Sequence, residues 1–589
     1  MIQIQSELFD TPTQKLSLVD VTLELPAGFH QGDPLDEKIS AIKGVIRRYL
    51  ENGWALFDLF SGGKDSSVKL CLVLNAMREY VEEHGPEQCP PLAIMHSDTL
   101  LENPVIALHT HSELARIRLY ALEHSLPVTV HVAMPSLSEN YLVNIIGGRT
   151  IATTAQTSNR KCSVSMKVGP IQRMQKKILA DLSSKYEDKV LTLVGKRYDE
   201  SEYRKADMIA AGERPDRHIK RGNQNLLSPI ASMSLDDIFW IIGLVTNNEM
   251  DCYSNFESLI ETYRAANNGE CMVNAAEGKA GSTSCGARYG CWVCLASEDD
   301  KSMNAMMEQE EYKFMRHLWA FRNYLQACHN DPSRRTWLAR KVNADGTLDI
   351  RPNSYSPEFT EELLKMAISI QVMEEEAAHA LGISPRFQVI TFEEVMAIEC
   401  QWSRYGYHRP MEAVRIWNEI YEEGRGLLLP PSDLSHMPRF PLLNDVPQTS
   451  VPFVDEDYYG VFNGLRDMNA AMTGCEDTVV KADGSIYTAA NTSEEFSFDP
   501  EGLYLFATLD MKYAINKFAD GYAAPGASLH YLMNLGIVSI NKGSHSEYDR
   551  MLRMSSQIWR HGLRPILNDP KAIVEKLGAD EEFKLQRLF

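Results

Sequence analysis

Short apolar runs and longer amphipathic stretches alternate through roughly the first 230 residues of the chain. The runs are largely apolar, as is typical of buried parallel strands, and predict strands at residues 54–60, 91–97, 127–132, 190–194 and 226–230. Between them, apolar residues recur at helical spacing, as in the stripes from Leu35 to Leu50 and from Val68 to Met77. This alternation predicts an α/β fold with a doubly wound parallel sheet.

From about residue 300 onward the apolar positions keep helical spacing, which predicts a mainly helical C-terminal region. Six prolines between residues 430 and 452 indicate a linker or an extended wrap. The expected division is an N-terminal extension (1–34), an α/β domain (35–250), a cysteine-rich segment (251–304), a helical domain (305–428), a proline-rich linker (429–453) and a C-terminal region of unknown role (454–589).

The formal net charge of −21 argues against a protein that grips nucleic acid alone by neutralising phosphates. A local basic groove or a DNA-binding partner stays compatible with that charge. The first residues lack the basic and apolar pattern of a signal peptide. The densest apolar run, residues 239–245, is too short to cross a bilayer, so we expect a cytoplasmic protein with no membrane partner.

A glycine-rich loop separates the first predicted strand from the helix that follows it. Two glycines allow close approach of the backbone, and the first amides of a helix point at an anion. The spacing differs from a Walker A loop. An ordinary Gly-Gly turn capped by a serine is the alternative. As a phosphate site, the loop would bind a ligand through Ser61, Gly62, Gly63, Lys64, Asp65 and Ser66.

Polar residues follow two other predicted strands, at the edge where open α/β sheets bind ligands. Asp98 follows the second strand, although it also suits a cap for the next helix. After the fourth strand come Gly195, Arg197, Glu200 and Arg204. The two arginines would hold phosphate oxygens and the glutamate would orient one of them, unless the segment is a solvated charged loop. His109 and His111 are expected to be solvated.

Cys162 follows Arg160 and Lys161, whose charges favour the nucleophilic thiolate form. The alternative for a single cysteine is a small buried apolar residue. Four more cysteines fall in one short window with the spacing Cys-x13-Cys-x5-Cys-x2-Cys: Cys271, Cys285, Cys291 and Cys294. Four clustered thiolates suit one zinc ion or one [4Fe–4S] cluster, and the spacing does not separate the two.

Five motifs along the chain resemble, in order, those of the PAPS reductase family of ATP pyrophosphatases (the PP-loop family). They are Ser-Gly-Gly-Lys-Asp-Ser at 61–66, Asp-Thr-x2-Glu-x-Pro at 98–104, Arg-Lys-Cys-x4-Lys-x2-Pro at 160–170, Gly-x-Arg-x2-Glu-Ser-x2-Arg at 195–204 and Ser-Pro-Ile at 228–230. With the cysteine window, the pattern is similar to the DNA phosphorothioation sulfurtransferases of the DndC and SspD type. The resemblance covers roughly residues 50–300 and implies an adenine nucleotide α-hydrolase-like fold.

The resemblance implies an enzyme that cleaves ATP between its α and β phosphates and transfers sulfur to a DNA backbone phosphate. Lys64 and Asp65 would act at the ATP site, Asp98 would help to hold Mg²⁺, and Cys162 would carry sulfur. The four-cysteine window would bind a [4Fe–4S] cluster, with zinc as the alternative. In related reductases a cysteine at the Cys162 position belongs to the cluster, so Cys162 replacing Cys271 as a ligand stays open. The implied partners are a cysteine desulfurase, other phosphorothioation proteins, and DNA reached through a partner.

Three alternative functions follow from the same residues. A PAPS or adenylylsulfate reductase is one, but the sequence lacks the Glu-Cys-Gly-x-His motif of the sulfonucleotide reductases. A tRNA thiolase is another, which the acidic charge does not favour. The third is a non-catalytic ATP-binding scaffold of a defence complex, against which the intact Lys64, Asp65 and Ser66 argue.

Overall fold

The computed structural model describes residues 25–154, 161–182, 186, 188–266, 290–443, 449–453, 478–480, 486–488, 496–520, 525–540 and 545–577. Two of the predicted metal ligands, Cys271 and Cys285, lie outside these ranges. Within them, no helix has an apolar stretch long enough to cross a lipid bilayer.

A mostly parallel sheet organises the described front part of the chain. Its strands are β1 (Ala55–Leu59), β2 (Leu92–Ser97), β3 (Val128–Ala133), β4 (Val190–Leu193), β5 (Ile219–Arg221) and β6 (Gln224–Leu227). They lie in the order β3-β2-β1-β4-β6-β5, and β5 pairs antiparallel with β6 while the other neighbours are parallel. The predicted α/β class with a mainly parallel sheet is confirmed. The edge strand β5 was not predicted.

Helices cover both faces of this sheet. The helices of this part of the chain are α1 (Leu35–Glu51), α2 (Lys64–His84), α3 (Pro104–Glu123), α4 (Tyr141–Ile146), α5 (Lys161–Ser163), α6 (Gly169–Asp181), α7 (Glu202–Ala210), α8 (Leu235–Thr246) and α9 (Glu257–Ala265). Of these, α4 packs with the helices that follow the sheet in the chain. Because side chains alternate along a strand, Leu56 packs into the core with α1, α2 and α8, whereas Phe57 packs against α6. This arrangement agrees with the doubly wound fold that the alternating pattern predicted.

The strand order reverses at β1, which has β2 on one side and β4 on the other. The carboxyl ends of β1 and β4 therefore flank the crevice in which open α/β sheets bind ligands. The glycine-rich loop follows β1 and the Gly195 segment follows β4, so both predicted pieces lie at this crevice.

A second core lies C-terminal to the sheet. This part of the chain is mainly helical, as predicted. Its helices are α10 (Lys301–Met307), α11 (Arg316–Cys328), α12 (Pro357–Leu381), α13 (Phe392–Tyr405) and α14 (Glu412–Trp417). The sequence did not predict an antiparallel three-stranded sheet formed by β7 (Arg335–Leu338), β8 (Thr347–Tyr355) and β9 (Thr449–Pro452).

Parts of the last described segment pack onto this second core, and others pack onto the three-stranded sheet. This segment contains β10 (Thr478–Val480), β11 (Ile486–Thr488), β12 (Phe496–Phe498), α15 (Pro500–Leu505), α16 (Met511–Lys517), α17 (Ala527–Asn534), β13 (Val538–Ile540), α18 (His545–Arg560) and α19 (Pro570–Leu577). Phe506 and Leu532 share one buried cluster with Ile398 of α13. Leu529 N also donates to Ser403 Oγ at 3.1 Å.

Candidate active site

The glycine-rich loop runs from β1 directly into the N-terminus of α2, as predicted. Gly62 has a φ of +72°, and a Cβ atom there would lie 2.3 Å from Thr110 Oγ1 of α3. Only glycine fits both the backbone conformation and this contact. The Ser66 hydroxyl closes the loop by donating to Gly63 O at 2.8 Å. No described side chain caps the first turn of α2, which leaves its amides facing the crevice.

Replacing Gly62 with alanine is expected to lower the apparent Tm more than Gly53→Ala does. Both glycines have positive φ, so both variants bear the left-handed backbone cost of about 1 kcal/mol. A Cβ at Gly53 meets no atom within 4 Å, whereas the one at Gly62 overlaps Thr110. Thermal unfolding of both variants isolates the steric part of the cost. A second change, Thr110→Ala, should recover part of the loss in Gly62→Ala, and equal Tm values for the two single variants would contradict this account.

Lys64 and Asp65 stand together at the first turn of α2. Lys64 Nζ lies 3.6 Å from Asp65 Oδ2 and 5.4 Å from the ring centroid of Tyr263 on α9. Asp65 Oδ1 accepts a hydrogen bond from Arg197 Nε at 2.6 Å. The structure thus brings Arg197 to the adjacent pair Lys64 and Asp65, from which the sequence separates it by more than 130 positions. Arg197 also lies 3.5 Å from Asp199, through Nη1 and Oδ2, so two cations and two carboxylates meet at this point.

The segment after β4 packs tightly against the loop. A Cβ atom at Gly195 would lie 3.3 Å from both the Cα and the N of Ser66, so the small residue permits the close approach. Arg197 is buried, and its Nη1 also lies 3.4 Å from Met233 O. Its backbone amide donates to Glu200 Oε1 at 3.2 Å, and Glu200 forms an ion pair with the half-exposed Arg204. The predicted orienting glutamate therefore contacts the side chain of Arg204 and the backbone of Arg197.

Asp98 lies at the carboxyl end of β2, as predicted. Its Oδ1 accepts from Leu100 N at 2.8 Å, and its Oδ2 lies 3.2 Å from His111 Nε2. The cap of α3 is Asn103, whose Oδ1 accepts from Val105 N at 3.0 Å. The alternative interpretation of Asp98 as the cap of the next helix is thereby wrong. Its carboxylate remains at the edge of the crevice and is available for a divalent cation.

His109 contacts the loop, a role that the sequence did not suggest. The expectation that it is solvated is wrong, because its side chain is buried between the loop and α9. Its Nε2 lies 3.3 Å from Gly62 O and its Nδ1 lies 2.9 Å from Ser258 Oγ. A carbonyl only accepts, so Nε2 carries the proton. Burial lowers the pKa of His109 and thus favours this neutral form.

A buried ion pair beneath the loop was also missed. Lys69 Nζ lies 3.0 Å from Asp58 Oδ2, and both side chains are 0% exposed. Burial raises the pKa of Asp58 and lowers that of Lys69, while each charge opposes the shift of the other. Because Asp58 lies inside an otherwise apolar strand and Lys69 inside an apolar helix, neither position suggested a partner.

Cys291 lies beside the residues that follow β2. It pairs with Glu102 in an isolated antiparallel bridge, and Trp292 N donates to Leu101 O at 2.9 Å. Its Sγ is 3.8 Å from Thr99 Oγ1. Cys294 N donates to Cys291 O at 2.9 Å, which closes a tight turn between the two cysteines. Burial raises the pKa of Cys291 to about 11, so without a metal it is a neutral thiol at pH 7.

Cys162 begins a helical segment that reaches the same end of β2. Ser97 Oγ donates to Met166 O at 3.1 Å and ties this segment to the strand. Burial lowers the pKa of Lys167, but Glu102, Cys291 and Cys162 together outweigh burial and raise it. Lys167 therefore lies near both cysteines and forms an ion pair with Glu102, with Nζ and Oε1 3.3 Å apart. The predicted cationic setting of Cys162 depends on Arg160, which lies outside the described residues.

The described ranges contain no group of three or more His, Cys, Asp or Glu side chains arranged to hold a metal ion. Cys291 and Cys294 are the two predicted ligands that lie within them, and Cys271 and Cys285 lie outside. Two thiols three residues apart on a tight turn are donors that suit zinc or an iron–sulfur cluster. The donor type therefore fits the predicted metal as far as the structure describes it.

No family model matches the sequence, and no curated protein matches it. Among solved structures, the chain is similar to the phosphate complex of phosphoadenylyl-sulfate (PAPS) reductase from Candida auris. The two share 12% sequence identity and a TM-score of 0.23, over 37% of this chain and 87% of that chain. A likeness of this size does not assign the chain to a family.

Proposed function

We propose that this protein is an ATP-dependent sulfurtransferase that activates a DNA backbone phosphate and helps to replace one of its oxygens with sulfur. The observation that carries the proposal is a juxtaposition at one edge of the sheet. A glycine- and lysine-containing loop follows β1, and the Cys162 and Cys291 segments lie at the end of the adjacent strand β2. The loop proposed to bind ATP and the cysteines proposed to carry sulfur or metal thus lie at the ends of adjacent strands.

In the first step, a non-bridging oxygen of the acceptor phosphate attacks the α-phosphorus of ATP, and pyrophosphate leaves. Lys64 and the amides of Gly62 and Gly63 would stabilise the charge that develops on the leaving pyrophosphate. Arg197 and Arg204 would hold phosphate oxygens, and Glu200 would orient Arg204 through their ion pair. Asp98 would help to hold Mg²⁺. Asp65 would hold Arg197 in place through the bond at 2.6 Å.

In the second step, sulfur displaces AMP from the activated phosphate. Cys162 would carry this sulfur as a persulfide, supplied by a cysteine desulfurase. The terminal sulfur bonds to phosphorus, and AMP leaves with the original oxygen. A thiol reductant then supplies two electrons to break the sulfur–sulfur bond, which frees the phosphorothioate. The net charge of −21 favours delivery of the DNA by a partner protein of the phosphorothioation system.

Cys291 and Cys294, with Cys271 and Cys285, would hold a [4Fe–4S] cluster, and zinc is the alternative. A bound cluster would organise the cysteine segment beside β2 or supply reducing electrons there. Metal analysis after anaerobic purification tests this assignment. We expect iron and sulfide in comparable amounts, and stoichiometric zinc without iron would contradict the cluster.

Two measurements test the function as a whole. Purified protein with ATP, Mg²⁺ and DNA should release pyrophosphate and AMP, which a scaffold would not do. Mass spectrometry of nuclease-digested DNA, from cells with and without the protein, should show a phosphorothioate-linked dinucleotide that depends on it. Sulfite formation from PAPS would instead favour a reductase, and a thiolated tRNA nucleoside that disappears on deletion would favour a tRNA thiolase.

A further inference from the structure

The buried ammonium of Lys69 bridges the two strands that flank the crevice. Besides Asp58, it donates to Leu59 O at 2.8 Å, at the end of β1. It also donates to Leu193 O at 3.3 Å, at the end of β4. The ammonium thus makes two hydrogen bonds to main-chain carbonyls and one ion pair with Asp58. The strands β1 and β4 are themselves paired, with Asp58 opposite Leu193. One side chain of α2 therefore ties the helix to both points where the ligand-binding segments leave the sheet.

Two further contacts continue this connection toward the crevice. Beyond Leu193, Gly195 packs on the backbone of Ser66, and then Arg197 bonds to Asp65. The segment after β4 thus meets the first turns of α2 at every second residue. The contact with Lys69 is the deepest of the three, and the other two depend on how close it holds β4 to α2.

A buried ion pair is an expensive way to fill this position. Removing two charges from water costs several kcal/mol per ion, and apolar residues of similar size are often as stabilising. Lys69 and Asp58 are completely buried, and neither carboxylate oxygen of Asp58 has a hydrogen-bond partner among the described residues. Stability alone therefore does not explain the pair. The hydrogen bonds of Lys69 to two carbonyls at the strand ends suggest a positioning role.

We infer that Lys69 is a positioning residue for the phosphate loop: it ties α2 to the ends of β1 and β4 and thereby sets the first turn of the helix where Asp65 meets Arg197. This inference rests on the proposed function for its consequence in catalysis. The geometric part stands on the contacts of Lys69 with Leu59 and Leu193.

A simpler reading makes Lys69 only the counter-ion of Asp58. The two readings differ for the double variant Asp58→Asn/Lys69→Met, which removes both charges and both carbonyl contacts. If Lys69 only neutralises Asp58, the double variant should behave like the wild type. If Lys69 positions the loop, the double variant should be stable but have a loosened loop.

The experiment compares Lys69→Met, Asp58→Asn and the double variant in the full chain. The measurements are apparent Tm, amide hydrogen exchange of peptides covering residues 59–67, and the KM for ATP in pyrophosphate release. For the double variant we expect a Tm near that of the wild type, loop exchange about tenfold faster and a KM about tenfold higher, since two charged hydrogen bonds are lost. Asp58→Asn keeps the lysine contacts, so its loop exchange should stay within about twofold of the wild type.

Wild-type loop exchange and KM in a stable double variant would overturn the inference. Fast loop exchange in a stable Asp58→Asn protein would also overturn it, because the carbonyl contacts would then not be what holds the loop. If the wild type itself releases no pyrophosphate, the proposed function fails, and hydrogen exchange still decides the role of Lys69.

Discussion

Replacing Lys64 with alanine is expected to reduce pyrophosphate release by at least about 100-fold, the usual effect of losing one charge-stabilising donor. The ammonium stands at the uncapped N-terminus of α2, beside the loop amides that face the crevice. Its described contacts are few: Asp65 at 3.6 Å and the ring of Tyr263. Loss of this side chain should therefore leave the fold intact and remove charge only where a phosphate would bind. Steady-state pyrophosphate release and apparent Tm, measured on the same preparation, separate the two effects.

Lys177→Ala is the matched control for this variant. Lys177 is exposed on α6, the helix that packs on the opposite face of the sheet from α2. The Lys177→Ala variant loses the same charge and the same number of atoms as Lys64→Ala. We expect its activity and Tm to stay at wild-type levels. A Lys64→Ala protein that releases pyrophosphate at the wild-type rate would show that this loop is not the ATP site.

Replacing Cys162 with serine is expected to abolish DNA phosphorothioation while ATP cleavage to AMP continues. Serine has nearly the same shape but cannot carry a persulfide, so only the sulfur step should fail. Iron content should stay at the wild-type level, because four other cysteines complete the predicted ligand set. Iron quantitation, pyrophosphate release and mass spectrometry of the DNA together define the outcome.

Two companion variants make the Cys162 result decisive. Cys291→Ser should lose iron, since Cys291 is a predicted ligand on the tight turn with Cys294. Cys271→Ser should lose iron if the window Cys271–Cys294 is the complete ligand set. Iron lost from Cys162→Ser but retained in Cys271→Ser would mean that Cys162 is the ligand and that the sulfur carrier lies elsewhere.

The parts of the site that sequence predicted are those governed by local pattern. The loop from Ser61 to Ser66 was recognisable because a buried strand, two glycines and a helix start occur in succession. The position of Asp98 followed from the rule that strand ends line the crevice. Its competing interpretation as a helix cap required knowing that Asn103 caps α3 instead, which local preference alone does not decide.

The parts that were missed depend on contacts between distant segments. The ion pair of Asp58 with Lys69 joins two residues inside apolar runs, and only the packing of α2 on the sheet shows that they meet. From sequence, His109 looks like an exposed polar residue of α3, because its contact with Ser258 on α9 depends on how the two helices pack. Strands β7 and β8 lie within a mostly helical part of the sequence, and β9, which pairs with β8, follows about 100 residues later. The spacing of apolar residues along one segment does not predict which distant strand pairs with it.

The sharing of one core by α13 and the C-terminal elements determines how the chain can be divided for experiments. A fragment ending at residue 453 would uncover the surface of α13 that Phe506 and Leu532 occupy. It would also leave the backbone near the end of α13 without Ser555, which donates to Arg404 O at 2.8 Å. Newly exposed apolar surface of this kind promotes association between molecules. The proline-rich stretch is therefore a poor place to truncate, and assays of the nucleotide site need the whole polypeptide.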